Sequence, residues 1–293
     1  MRTTLRRNGA YILMVVPAAL LFSVFFIFPV ARTVAMSFTD DSSFRPETTT
    51  VGLENYARAL SDDSVLGAIG HSLWYALASL VLVNMLAIPV AVALNARIPF
   101  RNGFRAIFFS PAVLSVLVVG YLWGFLLSSN EYGLINSGLA LVGIPPVNWL
   151  GDPDIAMWSI ILTQVWQWFG YSMVIYLANL QAINPDLYEA ASIDGASGWQ
   201  QFWSITLPGL FPAIQFSVVT GLISGFKVFD IVYALTGGGP GDATETVLTL
   251  LYRAFGAGTY GYAAAYGVLF LLVTLFVTMT LLALSRRIEA RLS

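Results

Sequence analysis

Long apolar stretches separated by short polar ones dominate the chain. A helix needs about 20 mostly apolar residues to cross about 30 Å of hydrocarbon, and six stretches meet that length: 10–30, 73–94, 104–127, 155–180, 210–235 and 262–284. Each predicts a membrane-spanning helix. Pro17, Pro89 and Pro111 fall in or near these runs, where membrane helices tolerate proline better than soluble ones do. The first run follows Arg2, Arg6 and Arg7, as the core of a secretory signal would. It is longer than such a core and lacks a small-x-small cleavage site, so it reads as an anchor.

The arginines orient these runs, because Lys and Arg accumulate in short cytoplasmic segments. They occur at Arg2, Arg6 and Arg7, between the second and third runs at Arg97, Arg101 and Arg105, and after the sixth at Arg286, Arg287 and Arg291. The segment after the first run is acidic instead, with Asp40, Asp41, Glu47, Glu54, Asp62 and Asp63 against Arg45 and Arg58. The segment after the third carries Glu131, Asp152 and Asp154 and no basic residue. An even number of spans with both termini in the cytoplasm satisfies all of these. Composition agrees: 57% of residues are hydrophobic and 10% charged, where a soluble domain carries about 25% charge. The expected class is an all-α integral membrane protein.

The same composition removes several chemistries. With no cysteine and His71 as the single histidine, there is no disulfide framework, thiolate site or histidine-rich metal site. A Ser-His-Asp triad is disfavoured on the same ground. A net charge of -2 gives no nucleic-acid footprint. Neither a catalytic residue set nor a metal site is expected. Gly237–Gly241 is glycine-rich, but no Lys followed by Ser or Thr completes a phosphate-binding loop. Those glycines read as a tight periplasmic turn.

One segment breaks the charge rule. Residues 181–207 are cytoplasmic by alternation yet contain no Lys or Arg. The segment predicts two short helices and a turn. Asn184 caps the first with Pro185 at its first position, and Asp186 and Glu189 suit its positive end. Gly195 provides a left-handed stop. Ser197 caps a second helix to about Thr206, and Pro208 turns the chain back to the membrane. Leu187, Phe202 and Ile205 are the expected packing residues. Composition alone describes an amphipathic interfacial hairpin.

Here the residues also resemble a family. Glu189-Ala190-Ala191, three residues, Gly195, nine residues, then Ile205-Thr206-Leu207-Pro208 is similar to the EAA motif of ABC importer permeases. Phe229-Asp230 with Tyr233 and Leu235–Pro240, Val51–Tyr56, Phe104–Phe109 and the run from Gly261 to Phe270 resemble the maltose-permease-like, first subunit of a sugar-type permease pair. The resemblance implies a type I importer fold of six transmembrane helices in a bacterial or archaeal cytoplasmic membrane. It divides the chain into an N-terminal tail with the first helix (1–38), a periplasmic loop (39–70), a permease core (71–285, with the coupling loop at 181–208) and a cytoplasmic tail (286–293). It also implies that Tyr188, Glu189, Ala190, Ala191, Asp194, Gly195, Ile205, Leu207 and Pro208 contact an ATPase. The implied partners are a second permease, two ATPase subunits holding the ATP and magnesium, membrane lipid and a periplasmic or lipid-anchored solute-binding protein. The implied solute is a carbohydrate or related polyol.

Polar groups at membrane depth tend to face the bundle interior. Gln164, Gln167, Trp168 and Tyr171 fall on one helical face, with amides suited to hydroxyls and rings suited to sugar faces. They serve either as a solute path or as interhelical glue. The resemblance places this face, Gly225 and Val228 at solute-contacting positions. Lys227 and Asp230, three apart, can pair structurally or act as a gate or acidic-solute contact. Asn84 reads as packing glue and His71 as solvated. An ion-coupled carrier is the alternative function; it leaves the EAA-like loop unexplained.

Overall fold

A computed structural model describes residues 14–44, 47–96, 98–130 and 133–292. Arg2, Arg6, Arg7, Arg45, Arg97 and Glu131, and the Arg291 side chain, lie outside what is described. The residues fall into two units, one comprising those up to Leu66 with Leu251–Leu272, the other Gly67–Leu250 with those from Val273.

In the first unit, helix α1 (Met14–Met36) has a mean hydropathy of 2.4 with none of its apolar window buried. A helix apolar all round and uncovered by its own chain suits lipid. It runs beyond the expected end near residue 30, through a π-turn at Ser23–Ile27. Pro29 explains the turn: it lacks an N–H and its ring displaces the carbonyl four residues earlier.

The acidic segment that follows is held in place. Asn55 on α2 (Glu54–Ser61) donates through Nδ2 to the carbonyls of Ser37 (3.0 Å) and Thr39 (2.8 Å). Tyr56 bonds the Ser37 hydroxyl at 2.5 Å. The Gly261 amide donates to the Asp41 carbonyl at 2.8 Å. The Tyr262 hydroxyl donates to Asp62 Oδ2 at 2.7 Å, while the Arg58 guanidinium lies 4.2 Å over the Tyr262 ring. That hydroxyl bond is the main reason the Asp62 carboxyl titrates below its ordinary value of 3.8.

The second unit is built on α3 (Asp63–Asn95) from Gly67 onward, uninterrupted at Pro89, and α7 (Pro153–Leu180), with fourteen of its 28 residues buried. Between them the third apolar run is not one helix. It divides into α4 (Arg101–Val113) and α5 (Val116–Leu126), bent by 101°. Pro111 starts the break, and Leu114 is extended. A short α6 (Leu134–Leu141) precedes α7.

After α7 come α8 (Pro185–Ile193) and α9 (Gly198–Gly209), then α10 (Phe211–Phe226), bent 59° from α9. The fifth run also divides, since α11 (Asp230–Leu235) is separate from α10. Helix α12 (Val247–Gly256) leads to α13 (Tyr260–Leu292). Among the described residues, α1, α3 and α13 qualify as spans by length and apolarity, and the number rises to five if each bent pair is one span. Helix α7 is about 42 Å long at 1.5 Å per residue. Its polar residues and heavy burial fit a bundle interior, where lipid-facing apolarity is not required.

Close helix crossings rest on missing side chains. A Cβ at Gly170 of α7 would lie 1.8 Å from the Phe108 carbonyl oxygen of α4, and one at Gly225 of α10 would lie 2.8 Å from Ala76 of α3. Two buried clusters fill the unit. One joins Tyr75, Val119, Ile160, Ile161, Ile231 and Val232; the other joins Ala87, Ala91, Met173, Tyr176, Leu177 and Leu210.

Candidate solute cavity and coupling hairpin

Helices α3, α7 and α10 and the start of α11 surround a cavity of about 360 Å³. Of the residues expected on the solute face, Gln164, Trp168, Tyr171, Gly225 and Val228 line it, as do Lys227 and Asp230. The rings of Trp168 and Tyr171 meet edge to face at 6.0 Å. Ser79, Ser172, Ser217, Thr220 and Ser224 add hydroxyls. Sequence periodicity did not single out the first four, because small hydroxyl residues are equally at home in any helix crossing; Ser224 is among the residues the fifth run was expected to contribute.

Gln167 departs from the stripe. It is fully buried and absent from the cavity lining, and its Nε2 donates to the Leu114 carbonyl at 3.0 Å. Leu114 sits where the α4–α5 bend frees its backbone, so Gln167 satisfies a carbonyl that helix geometry abandons.

Lys227 and Asp230 do not form the expected ion pair. Residues 227–229 are not helical, so the i, i+3 neighbourhood is lost. Lys227 is the C-cap of α10 and Asp230 the first residue of α11, and both are exposed. Each charge has the sign its helix end favours. Gly225 is required by the crossing with Ala76 as well as lining the cavity.

At the cavity end nearer the hairpin, three helices share one amide. Tyr176 of α7 donates its hydroxyl to Asn84 Oδ1 of α3, and Ser217 Oγ of α10 donates to the same oxygen at 2.9 Å. Asn84 is thus the interhelical glue expected of it. His71 is not simply solvated; its Nδ1 lies 3.0 Å from the Glu245 carbonyl oxygen. In the glycine turn Gly237, Gly238 and Gly241 all have positive φ, and Thr244 Oγ1 bonds the Gly239 carbonyl at 2.6 Å.

The hairpin forms as its local residues dictate. Asn184 accepts from the Asp186 amide at 3.0 Å with Pro185 at the first helical position. Gly195 has φ +79°. Ser197 and Gln200 make a capping box, Gln200 Oε1 accepting from the Ser197 amide at 2.7 Å. The two helices are joined by Tyr188 to Thr206 (3.0 Å) and Gln201 to Ser192 (3.0 Å).

Helix α9 runs past Thr206 to Gly209 through a π-turn at Phe202–Thr206. This turn precedes Pro208 at the same spacing as the first π-turn precedes Pro29. The turn back to the membrane therefore falls at Leu210, not at Pro208. Glu189, Ala190, Asp194 and Gly195 are exposed, while Tyr188, Ala191, Ile205, Leu207 and Pro208 are half-buried. Leu187, expected to pack, is 52% exposed.

The family described as the binding-protein-dependent transport system inner membrane component matches residues 83–290. The trehalose/maltose transport system permease MalF of Thermococcus litoralis is 38% identical over 94% of this chain and 92% of its own. The multiple sugar-binding transport system permease MsmF of Streptococcus mutans is 35% identical over 98% and 99%. A chain in the crystal structure of a bacterial alginate ABC transporter, in complex with alginate pentasaccharide-bound periplasmic protein, superposes with a TM-score of 0.86. That chain is 25% identical, with 99% of this chain and 98% of that one covered. An all-helical fold, an exposed EAA-bearing hairpin and these likenesses lead to one assignment: the chain belongs to the inner-membrane permease components of binding-protein-dependent ABC importers.

Proposed function

We propose that the chain is one permease of an ATP-driven importer that moves a carbohydrate or related polyol across the cytoplasmic membrane. Six spans place both termini in the cytoplasm, with α7 as the fourth span and each bent pair as one. The observation that carries the reading is the capped hairpin, which presents Glu189, Ala190 and Asp194 to an ATPase from the same unit that holds the cavity. Two ATPases supply ATP and magnesium, a second permease completes the path, and a binding protein delivers solute. ATPase closure biases the bundle through its different contacts with the hairpin in the two states.

The carbohydrate class is supported by the relatives' names and by the cavity's amide, hydroxyls and edge-to-face rings. Gln164, Trp168 and Tyr171 are the proposed solute contacts, and Lys227 and Asp230 line the same path without pairing. Gln167 has the structural role described above.

The test is uptake in proteoliposomes with the companion permease, ATPases and binding protein, comparing wild type with Glu189→Lys/Gly195→Pro. Loss of uptake and of stimulated hydrolysis, with the bundle still assembled, is expected. Unchanged uptake driven by a proton or sodium gradient would make the chain an ion-coupled carrier instead.

A further inference from the structure

The hairpin has a second face that ATPase docking does not use. Trp199 and Trp203 are 71% and 52% exposed, and with Phe202 they form one aromatic cluster, ring centroids 5.4 to 6.1 Å apart. The α8-facing side of α9 is fixed by Gln201 and Thr206, which bond Ser192 and Tyr188. Trp199 lies two residues before Gln201, about 160° around the helix at 100° per residue, and the Trp203 ring packs against that of Trp199 at 5.6 Å, so both point away from α8.

Their depth follows from the bend. The run from Trp199 to Phe211 is about 18 Å long at 1.5 Å per residue. Inclined 59° to α10, it rises only about 9 Å along that helix, and from Trp203 about 6 Å. With α10 along the membrane normal and Phe211 at the edge of the hydrocarbon, Trp203 falls in the headgroup layer, about 5–8 Å thick on each side, and Trp199 at its outer boundary. Tryptophan concentrates at that depth because its ring prefers the acyl boundary and its N–H prefers water. No Lys or Arg in 181–207 anchors the hairpin to lipid phosphates in their place.

We infer that the Trp199–Phe202–Trp203 cluster is a lipid-interface anchor, so that one face of the hairpin rides on the bilayer while the motif helix meets the ATPase. The inference rests on the reading of α8 as the ATPase-facing helix. The anchor fixes the height of α8 and turns a push from the ATPase into a tilt about Leu210 rather than a dip into the membrane.

The chain's lack of cysteine permits a direct test. Nitroxides are placed at W199C, W203C and, on the motif helix, I193C, in the assembled transporter with its partners' cysteines replaced. The complex is held in nanodiscs of phosphatidylethanolamine and phosphatidylglycerol. Labels at 199 and 203 should collide several-fold more with oxygen than with a water-soluble nickel chelate, with or without bound ATPase. Accessibility to nickel at those sites overturns the anchor. So does protection from both reagents that depends on the ATPase or the second permease, which would make the surface a protein interface.

Should the cysteine variants fail to assemble, wild-type fluorescence quenching by lipids brominated near the headgroup is compared with W199F/W203F. The double variant is expected to lose that shallow component, and an unchanged profile overturns the anchor. If site 193 gains no protection from the ATPase while 199 and 203 stay in lipid, the coupling reading fails and the anchor stands.

Discussion

Single side chains decide how closely the helices of the second unit approach. A methyl at Gly170 would sit 1.8 Å from a backbone oxygen that cannot swing aside, whereas one at Gly103 meets nothing within 4 Å. Gly170→Ala should therefore cost about 1–3 kcal/mol of overpacking, read as a lower thermal midpoint in detergent, and Gly103→Ala should not lower it. The two glutamines separate in the same way. Gln167→Leu removes a part-buried hydrogen bond to the Leu114 carbonyl, a loss of about 0.5–1.5 kcal/mol, with the solute KM unchanged in what still assembles. Gln164→Leu should raise the KM and leave the midpoint where it was.

Asp62 gives a pH-dependent case. Its carboxyl is depressed chiefly by the Tyr262 hydroxyl bond, so its contribution is fully present above the unfolded value of 3.8 and is lost as pH falls through the lower folded one. Amide exchange across α2 should rise on acidification in that window for wild type, and Tyr262→Phe should remove that component of the rise.

Among helices and turns, the hairpin is where local chemistry speaks most clearly. Gly195→Ala must hold φ near +79° with a Cβ present, which costs about 1 kcal/mol, and Ser197→Ala removes a cap worth about 1 kcal/mol. Combined, they should speed amide exchange in α8 and α9 while leaving α7 protected, as hydrogen exchange with mass detection resolves. Asn184, Gly195 and the Ser197 cap were legible in the sequence because each acts through neighbours a few residues away. The first, second and sixth apolar runs were legible for a similar reason, since bilayer thickness sets their length. What was not legible depends on partners far along the chain. The bend at Leu114 is completed by Gln167, 53 positions later, so helical periodicity alone placed that glutamine on the solute face. The Lys227–Asp230 pairing assumed a helix that ends at Phe226. The π-turns before Pro29 and Pro208 show proline altering the preceding turn rather than ending the helix.

Packed groups within one unit connect the hairpin to the cavity. A Cβ at Gly209 would touch Ile183 at 2.6 Å, which shows how tightly α9 closes on the end of α7. Leu210, at the bend, is fully buried in the cluster with Ala87, Met173, Tyr176 and Leu177. About two turns further along the chain, Ser217 shares Asn84 Oδ1 with Tyr176, and Ser217 itself lines the cavity. Three helices thus meet at a single acceptor between the bend and the solute. Buried hydrogen-bonded groups of this kind fix one packing against its neighbours, so the joint should make α3, α7 and α10 move together when the hairpin tilts. Asn84→Leu keeps the bulk but leaves two hydroxyls without their acceptor. The hairpin surface is untouched, so ATPase binding should persist and hydrolysis should continue, but fewer solute molecules should cross for each ATP consumed. The measurement is the ratio of uptake to hydrolysis in the same proteoliposomes. A several-fold fall in that ratio at near-normal hydrolysis assigns the joint to coupling. An equal fall in both rates means that Asn84 serves only to hold the bundle together.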